Sequence, residues 1–273
     1  MSGKPNGSNL ARRAVSGLII VLVILGAIHH GGWAWLTLVM VLAMMSLAEY
    51  YRLLSTQFKL SRGIGYISAM AVIFSSSYGA MPVSTVMILS LTVYAVLMLE
   101  MVRRQTLGAS FAIWNTGGIL SGILFIVVPW ACLILLRDMP TGRLYLLALF
   151  ACTWSCDVAA YAVGTKWGKV RLCEKISPKK TLEGFIGGVL GSVMAISLII
   201  YFMHQPPFPL LIIGIICAFA GQLSDLSASL IKRETGVKDT SNLIPGHGGV
   251  LDRFDSILLN GLLVYLFFGV ILV

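Results

Sequence analysis

The sequence predicts an all-α, polytopic integral membrane protein with about nine transmembrane helices and a cytoplasmic amino terminus. Of its 273 residues, 58% are hydrophobic and only 11% are charged, far below the roughly 25% charged content of ordinary soluble domains. Its apolar residues form runs long enough to cross the hydrocarbon core as helices, each of which needs about 20 residues. Such runs use most of the chain and leave little for a soluble domain.

The predicted spans lie near residues 14–30, 33–53, 64–80, 83–102, 111–136, 144–164, 182–203 and 209–231, and from 254 to the end. In the fifth span, Pro129 predicts a kink because proline lacks the N–H group that the helix ladder needs. Two polar loops, 165–180 and 232–253, interrupt the carboxy-terminal half. We therefore divide the chain into amino-terminal transmembrane helices, residues 1–140 with about five spans, and a carboxy-terminal region, residues 141–273, that carries both loops.

The positive charges fix the predicted orientation. With the amino terminus in the cytoplasm, 18 of the 20 Lys and Arg residues face the cytoplasm, and only Arg137 and Arg143 lie outside. Both polar loops then face the cytoplasm, which predicts a multi-pass membrane protein with these loops on the cytoplasmic side. The net charge of +9 does not indicate nucleic-acid binding, because the cations lie in short segments between apolar runs.

Four carboxylates lie within or at the ends of predicted spans. Asp157 and Asp225 fall inside spans, where a charge is costly and by default indicates a functional site. The alternative is that each carboxylate is hydrogen-bonded by neighbours and serves packing alone. Glu49 and Glu100 lie within four residues of an Arg at a span end, so we expect simple interfacial ion pairs for them.

The loop at 165–180 is rich in cations and predicts phosphate binding. Its basic residues are Lys166, Lys169, Arg171, Lys175, Lys179 and Lys180. Ser177 and Pro178 fit a helix N-cap followed by proline, which would place the last two lysines in the first turn, where a bound anion is favourable. The alternative is that these cations only set the membrane topology.

Glycines follow this loop at small-residue spacing. Gly184, Gly187, Gly188 and Gly191 should let another helix approach closely.

A polar island from Ser229 to Asp255 stands between two apolar runs. It combines cations with the carboxylates Glu234, Asp239, Asp252 and Asp255 and a glycine-rich turn. Asp252 and Asp255 are spaced i,i+3, so on a helix they share one face. Mg²⁺ usually takes one or two carboxylates plus substrate phosphates, so the island predicts a site for a polyanion and a divalent metal. We interpret His247 as a phosphate donor or a turn residue rather than a base, because a phosphate nucleophile with a pKa of about 6 is already ionised near neutrality.

These motifs resemble the phosphatidate cytidylyltransferase (CDP-diacylglycerol synthase) family. The family signature is matched by Ser229, Lys232, Arg233, Lys238, Asp239, Pro245, His247, Gly248, Gly249, Asp252, Arg253 and Asp255. The first polar loop is also similar, through Asp157, Tyr161, Gly164, Gly168, the segment 176–181, Glu183 and Gly184. The resemblance covers roughly the carboxy-terminal 45% of the chain, so the region 141–273 is expected to be catalytic. It assigns no residue in the first 140.

The resemblance implies transfer of the cytidylyl group of CTP to phosphatidate, giving CDP-diacylglycerol and pyrophosphate, at the cytoplasmic face of the membrane. It implies Mg²⁺, held by Asp225 and Asp252 with Asp255 as a further candidate, a second monovalent cation such as K⁺, and a homodimer. We assign catalytic roles to Asp225, Asp252, Asp255, Lys232 and Arg253. We assign substrate contacts to Asp157, Lys166, Lys179, Lys180, Glu183, Ser229, Arg233, Lys238, Asp239, His247, Gly248 and Gly249.

Two other functions remain open at this point. A secondary transporter would also carry intramembrane carboxylates, but the polar residues here cluster in two loops and no inverted halves are detected. A CDP-alcohol phosphotransferase or a CTP-dependent lipid kinase could share Mg²⁺ and the Asp252–Asp255 pair. Against the phosphotransferase, no Asp-Gly-x-x-Ala-Arg motif precedes that pair.

Overall fold

The computed structural model describes residues 7–57, 59–78, 83–241, 243 and 248–271, with side chains from residue 15 onward. Within these ranges the chain forms helices and one short hairpin. The helices are α1 (Gly7–His30), α2 (Gly32–Leu54), α3 (Arg62–Ser76), α4 (Val83–Leu107), α5 (Ala112–Gly122), α6 (Val128–Asp138), α7 (Gly142–Trp167), α8 (Leu182–Met203), α9 (Pro207–Glu234) and α10 (Leu251–Leu266). The hairpin is formed by β1 (Arg171–Cys173) and β2 (Ser177–Thr181).

The helices confirm an all-α, multi-pass membrane protein. Among the described residues, seven helical segments are long and apolar enough to cross a membrane. They are Gly32–Leu54, Val83–Leu107, Ala112–Asp138, Gly142–Trp167, Leu182–Met203, Pro207–Glu234 and Leu251–Ile271. Two further predicted spans correspond to α1, whose described apolar stretch is Val15–His30, and to α3, which has 15 residues. At about 1.5 Å per residue, α3 is shorter than the roughly 30 Å hydrocarbon core.

A π-helical turn precedes Pro129, where the sequence predicts a kink. Residues Ile123–Val127 form this turn between α5 and α6, so the helical segment continues from Ala112 to Asp138. The ring of a helical proline collides with the carbonyl group four residues earlier, here that of Phe125. The π-helical turn contains that residue and accommodates the collision.

The hairpin corrects the predicted start of α8. Ser177 is not an N-cap, because Ser177–Thr181 pairs with Arg171–Cys173 as an antiparallel strand with a bulge. The helix begins at Leu182 and is capped by Thr181, whose Oγ1 accepts a hydrogen bond from the Gly184 N–H group at 3.1 Å. Lys179 and Lys180 therefore lie on β2, outside the first helical turn. The amino terminus of α8 therefore does not provide an anion site between these two lysines.

By packing, the chain forms two compact units. The first unit runs to Val127 and includes Asp239–Arg253; the second comprises Val128–Lys238 and the chain from Phe254 onward. The polar island Ser229–Asp255, from here on called the signature segment, thus has residues in both units. Our functional division at residue 140 stays a prediction, because the units describe packing alone.

In the first unit, α2 packs against α1, α3, α5 and the π-helical turn. Tyr51 lies at the centre of this packing, and its hydroxyl donates to the Ile119 carbonyl oxygen at 3.0 Å. Glycines make room for its ring: a Cβ at Gly65 would lie 2.7 Å from a ring carbon, and one at Gly122 would lie 2.6 Å from another. Close packing of α2 fixes the end of the helix that carries Glu49.

In the second unit, α7, α8 and α9 pack against one another. The predicted close approach at the α8 glycines is confirmed. A Cβ at Gly191 would lie 2.5 Å from the Ala159 Cβ and 2.8 Å from the Ser155 carbonyl oxygen, and one at Gly187 would lie 2.6 Å from Val163. Helices packed this closely hold the hairpin between α7 and α8 next to the end of α9.

Candidate active site

One face of α9 carries three predicted site residues. Asp225, Ser229 and Lys232 are spaced i, i+4 and i+7, so they follow one another along the helix surface. The Ser229 hydroxyl donates to Asp225 Oδ1 at 3.3 Å. Polar side chains spaced in this way form a stripe on an otherwise apolar helix.

Lys180, from β2, reaches this stripe. Its Nζ lies 2.6 Å from Asp225 Oδ2 and 3.5 Å from the Gln222 carbonyl oxygen. The two side chains are 26% and 31% exposed, so the ion pair is half-buried and open on one side. The strand that replaced the predicted helical turn thus places this lysine against an intramembrane carboxylate.

Asp255, on α10, adds a second and more deeply buried carboxylate. Its Oδ2 lies 3.9 Å from Lys232 Nζ, and the side chains are 9% and 11% exposed. Asp157, on α7, and Asp225 are close enough for their charges to act on it. We call Asp157, Asp225, Asp255, Lys180 and Lys232 the carboxylate–lysine cluster. It has one more carboxylate than ammonium group.

The remaining predicted site residues of the second unit lie around the hairpin. Glu183 accepts hydrogen bonds from the backbone N–H groups of Lys169, at 3.0 Å, and Val170, so it secures the start of the hairpin. Arg233 Nε donates to the Ile176 carbonyl oxygen at 3.1 Å and joins α9 to the hairpin. Lys166 and Lys179 are exposed.

Asp252 lies in the first unit and anchors Thr240 and Gly249. Its Oδ2 accepts hydrogen bonds from the backbone N–H groups of Thr240, at 2.8 Å, and Gly249, at 3.0 Å, and lies 2.9 Å from Thr240 Oγ1. Gly248 has a φ of 85°, a left-handed conformation that favours glycine. The sharp turn predicted for the glycine-rich segment is found there.

Lys238, Asp239 and Arg253 are exposed, whereas His247 lies outside the described residues. Each of these four assignments stays a prediction.

Glu49 makes contacts that the sequence did not predict. Its carboxylate accepts hydrogen bonds from Ser241 Oγ at 2.6 Å, Val250 N at 2.9 Å, Thr240 Oγ1 at 2.8 Å and Leu251 N at 2.8 Å. The side chain is fully buried. Two of these donors are backbone N–H groups at the start of α10, which have no partner within the helix. The carboxylate acts as a cap contributed by a helix far away in sequence.

The simple interfacial pair expected for Glu49 is therefore wrong, whereas Glu100 forms the expected ion pair but is buried. Glu100 pairs with Arg103 and also accepts from Asn115 Nδ2 at 2.6 Å and from the Phe111 N–H group at 2.8 Å. Both glutamates have an Arg nearby in sequence, so spacing alone could not distinguish them. The available signal was a polar loop about 190 residues away that offers N–H and hydroxyl donors.

A Mg²⁺ ion requires oxygen ligands, usually one or two of them carboxylates. Within the described ranges, no group of three or more His, Cys, Asp or Glu side chains could hold one ion. Asp225 and Asp255 are two carboxylates in one unit, which matches the usual number for Mg²⁺. These carboxylates are oxygen ligands of the type that Mg²⁺ takes.

Comparison with known proteins identifies the family. A protein-family sequence model described as "Cytidylyltransferase family" matches residues 11–271, which is nearly the whole chain. The chain belongs to the cytidylyltransferase family. The family resemblance inferred from the signature is thereby confirmed.

Two relatives align with most of the chain, and a third aligns with about half of it. It is 30% identical to "Phosphatidate cytidylyltransferase" of Bacillus subtilis over 255 residues, covering 92% of this chain and 94% of that one. The protein of the same name from Staphylococcus haemolyticus is 32% identical over 267 residues, which are 92% of this chain and 98% of that one. A Synechocystis protein of this name is 42% identical over 133 residues, covering 48% and 45%.

Proposed function

We propose that this cytidylyltransferase transfers the cytidylyl group of CTP to phosphatidate, giving CDP-diacylglycerol and pyrophosphate. The printed names of relatives that align with 92% of the chain support this reaction. The observation that carries the proposal is the carboxylate–lysine cluster, of which Asp157, Asp225, Lys232 and Asp255 lie on helices that can cross a membrane and Lys180 lies on β2. A lipid substrate requires a polar site at membrane depth, and this cluster supplies cations for phosphates together with carboxylates.

The proposed chemistry is a displacement at phosphorus. The lipid phosphate attacks the α-phosphorus of CTP in line, and pyrophosphate leaves. Such a transfer needs the reacting groups to be positioned and their charge neutralised. We assign the neutralisation of phosphate charge to Lys180 and Lys232, whose ammonium groups lie in the cluster. A strong base is unnecessary because the attacking phosphate is already ionised.

We also propose that Mg²⁺ is the cofactor. Asp225 and Asp255 would hold it, and the ion would supply charge neutralisation at the phosphates. The assignment of Asp252 as a ligand and a second, monovalent ion such as K⁺ are predictions of the resemblance. The other predicted substrate residues keep their proposed roles on the same basis.

The test is product identity with purified protein in detergent. Radiolabelled CTP and phosphatidate should give a labelled liponucleotide, and excess EDTA should abolish the turnover. A phosphorylated lipid instead would indicate a lipid kinase, and the absence of any lipid product would refute the proposed reaction. Undiminished turnover in excess EDTA would refute the metal role.

We propose nine spans, a cytoplasmic amino terminus and an inner-membrane location with the active site facing the cytoplasm. The 18-to-2 distribution of Lys and Arg supports this orientation. Single cysteines replacing exposed Lys169, Lys238 and Thr141, in a background without the five native cysteines, test it. An impermeant maleimide added to spheroplasts should label only the third position until the cells are permeabilised. The opposite labelling pattern would overturn the orientation.

A homodimer is proposed from the resemblance alone. The mass of the protein in detergent, corrected for bound detergent, should be twice that of the 29.5 kDa chain.

A further inference from the structure

Glu49 is a buried carboxylate whose described partners all belong to the signature segment. Burying a charge is costly unless it is well hydrogen-bonded, and four donors between Thr240 and Leu251 offset this cost. We infer that Glu49 is a positioning residue, which holds Thr240, Ser241 and the start of α10 in place and thereby orients the carboxylate of Asp252. A carboxylate that served packing alone would be held by its neighbouring helices, as Glu100 is.

Thr240 connects the two carboxylates. Its Oγ1 lies 2.8 Å from Glu49 Oε2 and 2.9 Å from Asp252 Oδ2, and its backbone N–H group donates to the same Asp252 oxygen. A hydroxyl group has one proton, so it donates to one of these carboxylates at a time. A shift of the Glu49 carboxylate would move this hydroxyl and, with it, a hydrogen-bond partner of Asp252.

The backbone of the segment is fitted to Glu49. A Cβ at Gly249 would overlap Thr240 Oγ1 and Glu49 Oε2 and would lie 2.7 Å from Glu49 Cδ. The signature glycine at this position is therefore required for space. It allows the carboxylate of α2 to reach the N–H groups at the start of α10.

The consequence for activity rests on the proposed function. Asp252 and Arg253 are predicted catalytic residues, and both follow directly after the backbone that Glu49 holds. A misplacement of about 1 Å in a catalytic group can lower a rate by about a hundredfold. Glu49 acts on the reaction only through these groups.

Glu49→Gln is the decisive variant because glutamine has nearly the same shape. Each carboxylate oxygen of Glu49 accepts one backbone N–H group, Val250 on Oε1 and Leu251 on Oε2. In either orientation the glutamine NH₂ group would therefore face a backbone donor. The segment must shift to relieve this opposition, even though the side-chain volume is unchanged.

The expected result has a kinetic and a structural part. Glu49→Gln should lower kcat and kcat/KM together by roughly tenfold to a hundredfold, as expected for misplaced catalytic groups. Independently of activity, hydrogen exchange should become faster at the amides of Thr240, Gly249, Val250 and Leu251.

Glu100→Gln is the matched control. Glu100 is also a buried glutamate of the first unit and accepts a backbone N–H group and an Asn115 amide, but its described partners lie outside the signature segment. This variant should lower thermal stability while kcat per folded molecule stays within about twofold of wild type and exchange in the signature segment is unchanged. Equal kinetic losses in both variants would overturn the inference.

Variants of Thr240 test the hydrogen-bond connection between Glu49 and Asp252 without changing Glu49. They therefore also provide a test if Glu49→Gln does not fold. Thr240→Val keeps the methyl group and loses the hydroxyl, so kcat should fall about tenfold or more; Thr240→Ser keeps the hydroxyl and should stay within about threefold. The reverse order would show a packing role and refute the inference. A wild-type enzyme with no liponucleotide product refutes the proposed function instead, and unchanged exchange in the folded Glu49→Gln protein refutes the positioning role.

Discussion

Asp225→Asn should separate a metal ligand from a residue that serves packing alone. Asparagine keeps the size of the side chain and can still accept the Ser229 hydroxyl, but it loses the charge that faces Lys180 Nζ at 2.6 Å. Because the paired side chains are 31% and 26% exposed, we expect the lost ion pair to cost no more than about 1 kcal/mol in the free energy of unfolding. The apparent Tm should fall by only about 2–4 °C.

The loss of activity should be much larger than this loss of stability. Removal of one preorganised electrostatic group lowers kcat by about a hundredfold or more, equivalent to roughly 2.7 kcal/mol in the activation free energy. Part of the activity should return with excess Mg²⁺, because the weakened site binds metal with lower affinity. The measurements are kcat/KM for CTP over a Mg²⁺ titration and the Tm in detergent.

Lys180→Met provides the control, since it removes the same ion pair but leaves the carboxylate. It deletes a charge-assisted phosphate contact of about 1.5–3 kcal/mol, so kcat/KM should fall roughly tenfold to a hundredfold. Added Mg²⁺ should not restore this loss. If Asp225→Asn retained near-normal kcat/KM at limiting Mg²⁺, the proposed metal site would be wrong and Asp225 would be a packing residue.

Two further substitutions test the local geometry. Gly249→Ala should lower kcat about tenfold or more because the new Cβ overlaps Thr240 Oγ1. Gly117→Ala is the control: nothing lies within 4 Å of the new Cβ, so kcat should stay within about twofold of wild type and α5 should become more stable. Equal effects of the two substitutions on kcat would contradict the steric explanation. Thr181→Val should lower stability by about 1 kcal/mol because the N-cap bond to the Gly184 N–H group is lost, and Thr181→Ser should restore it. Thermal unfolding in detergent checks the second prediction, and an unchanged Tm in Thr181→Val would contradict the cap.

The sequence predicted the membrane helices well because the physical constraint is local. A backbone in hydrocarbon must satisfy its own hydrogen bonds, so every long apolar run is expected to be helical. Each predicted span coincides with a helix in the described part of the chain. The spacing of Asp225, Ser229 and Lys232 on one face of α9 also follows from helical geometry alone.

The misses came from contacts that the pattern of neighbouring residues does not show. Ser177 and Pro178 match a helix start by local pattern, but pairing with Arg171–Cys173 holds this stretch as a strand and moves the cap to Thr181. Glu49 lies 191 residues from Thr240, and only the fold shows that it faces the start of α10. A signature motif identifies the residues of a site, but it does not identify the distant residue that holds them.

Two variants of Asp252 distinguish a metal ligand from a residue that only anchors the backbone by hydrogen bonds. One of its oxygens, Oδ2, accepts the N–H groups of Thr240 and Gly249, so an asparagine can keep both hydrogen bonds through its single carbonyl oxygen. Asp252→Asn therefore removes charge while the loop stays anchored, whereas Asp252→Ala removes both.

If Asp252 is a metal ligand, both variants should lose about a hundredfold or more in kcat/KM, and only the alanine variant should show faster hydrogen exchange at residues 240 and 249. If it is only an anchor, Asp252→Asn should keep near-normal activity and Asp252→Ala should lose it. Because the loop is anchored in Asp252→Asn under both hypotheses, the kcat/KM of this one variant decides between charge and hydrogen bonding at the start of α10.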